Sequence, residues 1–339
     1  MTVERTLLQE RLISIIRRFP QHRVLVVGDS VADQFVYGAI SRVSREAPVF
    51  ILRHEHTQTT PGGAANCAMN LASLGAAVAL VSVTGEDEAG RALAETLKVA
   101  GIDCSSVLTS SSLQTTTKVR ILAGQIHSTR QQVIRIDYEG QGLNDFRLRR
   151  KLQEQVDRQA TYSDAVIISD YNYGVANHET AGAVREAANA RGLPVLVDSR
   201  FRLSNYTGFT SATPNEEEVE TILGKVIADA DLDSAGAEMR ERLDYRALLV
   251  TRGGRGMILF EQGVAPLHID AVGAREPVDV TGAGDTVIAT YTLALASDAS
   301  FPDAARLANY AGGLVVTKRG TATVTADELE HSVLFSELN

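Results

Sequence analysis

The chain has 339 residues, 44% of them hydrophobic and 22% charged, which is enough for one large core and too many for a minimal module. A formal charge of −9 argues against general nucleic-acid or anionic-membrane binding. Two cysteines, Cys67 and Cys104, lack metal-ligand spacing and point to a reducing compartment without a disulfide framework. The N-terminus carries acidic residues and no signal-peptide core, and the most apolar run, Leu71 to Val83, is too short to span a bilayer. A cytoplasmic protein is the expectation.

In chain order, Leu7, Leu8, Leu12, Ile15, Ile16 and Phe19 recur at helical spacing, predicting an amphipathic helix over about 1–20 that packs on a body running from 21 to 339. Arg23 to Gly28 is a continuous apolar run ending in Gly28-Asp29, the pattern of a buried parallel strand whose C-terminal end opens onto a ligand site. No G-x-G-x-x-G follows, so the dinucleotide-binding fingerprint of a dehydrogenase is absent. Two β-rich patches, about 34–60 and 112–138, predict a small sheet formed by two excursions, serving as a lid. Between them, Pro61-Gly62-Gly63-Ala64-Ala65-Asn66 is a glycine turn entering a small-residue helix; its spacing favours tight helix–sheet packing over a ligand contact.

From residue 78 strand-like runs (Val78–Val83, Ala165–Ser169, Pro194–Val197, Ala247–Thr251, Gly256–Phe260) alternate with helical patterns near 87–100, 144–159, 177–190, 215–223, 234–243, 283–297 and 301–318. That alternation predicts an α/β fold of three layers around a mostly parallel sheet, with no internal repeat. Asn215-Glu216-Glu217-Glu218 after Thr213-Pro214 reads as an acidic helix start. Pro277 to Thr286, with Thr281-Gly282-Ala283-Gly284-Asp285 at its centre, reads as extended chain, tight turn and helix. Bare N–H groups at such a start cradle an anion, and a carboxylate beside them can take a proton from an attacking hydroxyl. A capped helix with turn glycines is the equally weighted alternative.

Four segments stand in the order seen in the ribokinase-like (PfkB) sugar kinases: Gly28 to Asp33, Pro61 to Asn66, Thr213 to Glu218, and Asp279 to Asp285. The resemblance covers the chain from about residue 20. It implies a ribokinase-like fold and ATP- and Mg²⁺-dependent phosphoryl transfer to a sugar hydroxyl. It assigns Asp285 as catalytic base, Gly282, Ala283 and Gly284 as the anion hole, and Asp33, Gly62, Gly63, Asn66 and Arg120 as sugar-binding. Asn215, Thr251, Gly253 and Asn309 fall on nucleotide-binding positions, Glu218 on an indirect Mg²⁺ position, and Asp279 and Thr281 on a monovalent-cation (K⁺) site of some relatives. Exposed lid strands imply a homodimer.

Within that family, Ser41 to Val49, Thr117 to Arg120 and Gln131 to Asp137 resemble the kinase domain of D-glycero-D-manno-heptose 7-phosphate kinases. There are departures. Ser169-Asp170-Tyr171-Asn172-Tyr173-Gly174 has Tyr173 where those enzymes usually have lysine, Asp198-Ser199-Arg200 replaces Asp-Pro-Lys, and the lid loop carries extra residues around Gly124–Thr129. Arg200 or Arg130 could restore the lost phosphate charge. The alternatives are a kinase for another sugar, sugar phosphate or nucleoside, and a non-catalytic sugar- or nucleotide-binding protein on the same fold.

Overall fold

The computed structural model describes residues 2–124, 130–140, 142–273 and 277–335. The chain begins α1 (Thr2–Ile16), β1 (Arg23–Gly28), β2 (Ser30–Val43), β3 (Phe50–Gly63), α2 (Ala64–Ser73), β4 (Ala77–Gly85), α3 (Glu88–Val99) and β5 (Asp103–Ser110). It continues β6 (Thr117–Gly124), β7 (Gln131–Tyr138), α4 (Phe146–Ala160), β8 (Ala165–Asp170), α5 (His178–Arg191), β9 (Val195–Ser199), β10 (Ser211–Ala212) and α6 (Glu216–Leu223). It closes with α7 (Leu232–Leu243), β11 (Ala247–Thr251), β12 (Met257–Glu261), β13 (Leu267–Ile269), α8 (Ala283–Ala296), α9 (Phe301–Val315) and α10 (Ala326–Phe335).

The strands are apolar on both faces, which requires cover on both. Val24 and Val26 of β1, Ile167 of β8 and Leu249 of β11 face a core shared with α1, α2, α8, α9 and α10. Leu25, Val27, Ile168 and Val250 face the opposite core, closed by α4, α5 and α7. Three layers result, as the alternation predicts. The central sheet has the order β10-β9-β8-β1-β4-β5, all parallel. β11 continues it beyond β10: the Thr251 N–H donates to the Pro214 carbonyl at 2.9 Å. Ala247–Thr251 and the following strand form an antiparallel hairpin, extended by β13, because the turn from Arg252 to Gly256 has no room for a crossover helix.

α1 is fastened to the body. Leu12, Ile15 and Ile16 join the core, Gln9 donates to the Val333 carbonyl at 2.9 Å, and Arg11 pairs bidentately with Asp303 at 2.8 and 2.9 Å. The second sheet has the order β3-β2-β6-β7, with β2 and β6 parallel and the other pairs antiparallel. β2 leaves β1 after Asp29 alone, and β3 runs straight into α2. The sheet therefore hangs from the C-terminal edge of the central one. Of the loop around Gly124–Thr129, residues 125–129 lie outside the described residues.

Strand order changes direction between β1 and β8: β4 and β5 lie to one side, β9 and β10 to the other. Loops leaving the two strands diverge there and open a crevice at their carboxyl ends.

Candidate active site

Asp29, directly after β1, is buried, and its carboxylate accepts three amide hydrogens from the loop after β8. Tyr171 and Tyr173 donate to one oxygen at 2.9 and 3.0 Å, and Val175 to the other at 2.8 Å. Burial raises the Asp29 carboxyl to about 6, against the pull of those amides. β8 ends in Asp170, which Arg202 holds by a bidentate ion pair and Ser199 by a 2.8 Å hydrogen bond. Near the end of β9, Asp198 is raised to about 6, by burial and then by the Asp170 charge.

Above this acidic floor the starts of α2 and α8 meet. Asn66, on the first turn of α2, donates to Asp285 Oδ2 at 2.7 Å, and the Tyr171 hydroxyl donates to Oδ1 at 3.1 Å. Asn66 is itself held by Asn70, whose amide donates to its backbone carbonyl at 3.0 Å. Thr286, next to Asp285, donates to Asn70 Oδ1 at 2.8 Å. A buried polar chain thus locks α2 to α8. Burial raises the Asp285 carboxyl to about 7; the Asp198 and Asp33 charges add to this, and the Asn66 and Tyr171 hydrogen bonds oppose it.

The glycines permit the approach. Gly282 is left-handed (φ +77°) immediately before α8, and a Cβ there would lie 2.6 Å from Asn66 Nδ2. A Cβ on Gly62 would lie 2.6 Å from Asp33 Oδ2. The sequence reading favoured packing for this turn; the turn also sets backbone against a buried carboxylate. Asp33 on β2 forms an ion pair with Arg120 on β6, whose guanidinium lies over Phe35. Asp33, Gly62, Gly63, Asn66, Arg120 and Asp285 thus converge on one corner.

The nucleotide-side residues meet at a second corner. Asn215 caps α6: its side chain accepts from the Glu218 N–H at 2.8 Å, while Glu218 Oε2 accepts from the Asn215 N–H at 2.9 Å. This is the acidic helix start of the sequence reading. Burial, with the Asp198 charge, raises Glu218 to about 7. Asn215 pairs with Thr251 as a parallel bridge, and Gly253 begins the turn that follows. Thr251, Gly253, Ala283, Gly284 and Asn309 line one cleft of about 210 Å³ with apolar walls from Met257, Val287 and Val316. Asn309 Nδ2 donates to the Asp270 carbonyl at 2.7 Å.

Asp279 accepts one amide hydrogen on each oxygen, from Thr281 and Gly320, both at 2.9 Å. Burial works to raise its carboxyl, but the hydrogen bonds prevail and it lies below its ordinary value. Asp279 and Arg130 line a wider cleft under the second sheet, where Arg130 pairs with Glu55. Arg200 is exposed and stacks over Phe201. Lys118 lies 6.0 Å from the Tyr173 ring, and the Tyr173 hydroxyl donates to Glu139 at 2.8 Å. No group of three or more acidic, histidine or cysteine side chains among the described residues is arranged to hold a metal ion.

The sequence profile of the pfkB family carbohydrate kinases matches residues 21–328. The chain belongs to this family. It is an enzyme of the phosphotransferase class with an alcohol group as acceptor. Among curated proteins, "Bifunctional protein HldE" of Pseudomonas aeruginosa UCBPP-PA14 is 44% identical over 318 residues, 93% of this chain and 64% of that protein. The same-named protein of Pseudomonas putida GB-1 is 43% identical over 319 residues, again 93% and 64%. The chain thus spans slightly less than two thirds of these relatives. Of solved structures, Arabidopsis thaliana ribokinase with ribose and ATP aligns with TM-score 0.72 at 23% identity, covering 93% of this chain and 99% of that one. Escherichia coli phosphofructokinase-2 with substrates and products gives 0.74 at 19%, also covering 93% and 99%. The likeness confirms the ribokinase-like fold.

Four residues of this kinase's crevice went unassigned in sequence: Asp29, Asn70, Tyr171 and Asp198. Asp29 and Asp198 had a legible signal, an acid directly following or ending an apolar strand whose carboxyl end faces the crevice. Asn70 had only its i+4 spacing from Asn66, and Tyr171 stood in the Ser169-to-Gly174 segment without a role of its own.

Proposed function

We propose that this kinase transfers the γ-phosphate of ATP to a hydroxyl of an already phosphorylated sugar, D-glycero-D-manno-heptose 7-phosphate, giving the 1,7-bisphosphate. The observation that carries the phosphoryl-transfer chemistry is the Asp285 carboxylate, buried at the start of α8 with both oxygens oriented by donors from other elements. Asp285 removes the proton from the attacking alcohol; its raised affinity for protons suits a base working near neutrality. Of the Gly282, Ala283 and Gly284 amides, that of Ala283 donates to the Val280 carbonyl at 3.2 Å, so those of Gly282 and Gly284 chiefly hold the group in transfer. A Cβ built on Gly284 meets nothing within 4 Å, so that face is open.

Thr251, Gly253 and Asn309 bind the nucleotide in the apolar-walled cleft, which suits a purine, with Asn215 beside Thr251 at its edge. Glu218, part-buried at the start of α6, would act on a phosphate-bound Mg²⁺ through water. When bound, that ion neutralises phosphate charge. Asp279 and Thr281 fit a K⁺ site, since each Asp279 oxygen keeps a lone pair after its amide bond. Asp33, Gly62, Gly63, Asn66 and Arg120 hold the sugar. The second sheet acts as a lid that excludes water.

The heptose assignment rests on the motif resemblance together with the identity to the HldE proteins. A panel of heptose, hexose and pentose phosphates, free sugars and nucleosides, read by ADP release, tests it. Turnover confined to heptose 7-phosphate is expected. Turnover of a hexose phosphate or nucleoside alone would move the substrate, and ATP binding without any phosphorylation would return the non-catalytic reading. The partner reading is a homodimer through the lid: β7 is exposed along its whole length, with Val133, Ile134 and Ile136 facing solvent. Light scattering on Ile134→Lys should then give a monomer where the parent gives a dimer. The reading places the enzyme in the cytoplasm; no described helix is long and apolar enough to cross a membrane.

A further inference from the structure

The loop after β8 is wound more tightly than a strand-to-helix connection requires. Its alternate amides, those of Tyr171, Tyr173 and Val175, all point at the Asp29 carboxylate. Between them Asn172 is left-handed (φ +66°), with its N–H donating to Asp170 at 3.0 Å, and Gly174 has φ +105°, where a Cβ would lie 2.7 Å from the Leu143 nitrogen. Burying one carboxylate to hold one loop is costly unless the loop must be fixed. What the loop presents is the Tyr171 hydroxyl, 3.1 Å from Asp285 Oδ1, with the Tyr171 ring over Gly63.

We propose that Tyr171 is a positioning residue of the phosphoryl transfer: its hydroxyl fixes the Asp285 carboxylate in the direction of the incoming alcohol and keeps it charged, and Asp29 fixes Tyr171. The proposal rests on the reading of Asp285 as base. The geometry divides the work. Asn66 takes one carboxylate oxygen from α2 and Tyr171 the other from the opposite wall, so the carboxylate cannot rotate without breaking one bond. The other titratable groups facing it are Asp198 at the end of β9, Asp33 on β2 with its partner Arg120, and Cys67 on α2. The two aspartates oppose its ionisation, and Arg120 is committed to Asp33. Tyr171 and Asn66 are thus the groups that favour the charged form directly.

Tyr171→Phe removes one oxygen and leaves the ring in place. The expected result is about a tenfold fall in kcat/KM for the sugar at pH 7, with KM for ATP unchanged. The acid-limb inflection should move up by about one pH unit, and the rate should recover to within about twofold at alkaline pH. An active parent with a Tyr171→Phe variant whose inflection stays in place, at whatever rate, overturns the proposal. A second measurement is independent of turnover: carbon-13 NMR titration of the Asp285 carboxyl in parent and variant. An upward shift in the variant supports the proposal and no shift refutes it. A parent that phosphorylates no sugar removes the kinase reading of Asp285, and the NMR result then judges the contact by itself.

Discussion

The Asp285 corner and the Asn215 corner of the cleft are both helix starts satisfied by side-chain hydrogen bonds, but their partners come from opposite distances along the chain. Asp285 is held by Asn66, 219 residues away, and by Tyr171, 114 away. Asn215 and Glu218 hold each other across three residues. The first corner is buried and stacks acids at the switch point of the sheet; the second, with Asn215 exposed and Glu218 half-buried, closes its own bonds before anything binds. A long-range buried corner stores its chemistry in the tertiary fold. A local one stores it in a few consecutive residues, and loses little when one is changed.

The largest effect that would sharpen this contrast comes from Asp285→Asn. The amide keeps the shape and cannot accept the alcohol proton, so kcat should fall about 10²–10⁴-fold while ATP still binds in calorimetry. Near-normal turnover would remove Asp285 from the role of base and erase the distinction between the corners.

Next in size is Asn66→Ala, which strips the 2.7 Å donor from a buried carboxylate. Hydrogen bonds to charged groups contribute about 1.5–3 kcal/mol, so kcat/KM for the sugar should drop roughly 10- to 100-fold. Steady-state kinetics with ATP saturating checks it. An unchanged kcat/KM would mean that Tyr171 alone suffices to orient Asp285.

The difference in range also decides what was legible in sequence. The apolar runs that became β1, β4, β8, β9 and β11 were visible because each is buried on both faces. The capping box at Asn215 was visible as a helix start because its partners lie within one turn. Asp285 was recognisable through the glycines around it, but its partners were not. By spacing alone Asn66 read as part of a packing turn and by resemblance as a sugar ligand, but nothing in its own neighbourhood says that the Asp285 carboxylate lies against it. Tyr171 stood in the Ser169-to-Gly174 segment that resembles the heptose kinases, but its contact with Asp285 was not legible, because it depends on the far-off Asp29 holding that loop. The antiparallel hairpin of β11 and β12 was likewise not legible, since a strand's pattern says it is buried and not which way its neighbour runs.

A third, smaller effect lies in pH. Asp285 has an ordinary value of 3.8 and is raised to about 7 in the fold, so between these values the folded state holds a proton the unfolded chain has released. Its contribution to stability is full below about 4 and is lost as pH rises through 7. The slope is at most about 1.4 kcal/mol per pH unit. Melting temperatures of the ligand-free protein from pH 4.5 to 8 should therefore fall less steeply for Asp285→Asn than for the parent. Parallel curves would show that Asp285 is charged throughout, and the buried corner would carry no such electrostatic load.

The smallest effect belongs to the local corner. Asn215→Ala removes one half of the capping box and exposes the Glu218 N–H, at a cost of about 1 kcal/mol and, for a chain of this size, about 2 °C in Tm. Because Glu218 Oε2 still accepts from the residue 215 amide, the α6 start should survive and the fold should be intact. Its kinetic effect should fall on the nucleotide: a several-fold rise in KM for ATP with the sugar's KM unchanged, the reverse of the pattern for Asn66→Ala. If both constants rose together, the two corners would be coupled through the crevice, and Asp198, whose charge acts on both Glu218 and Asp285, would be the side chain linking them.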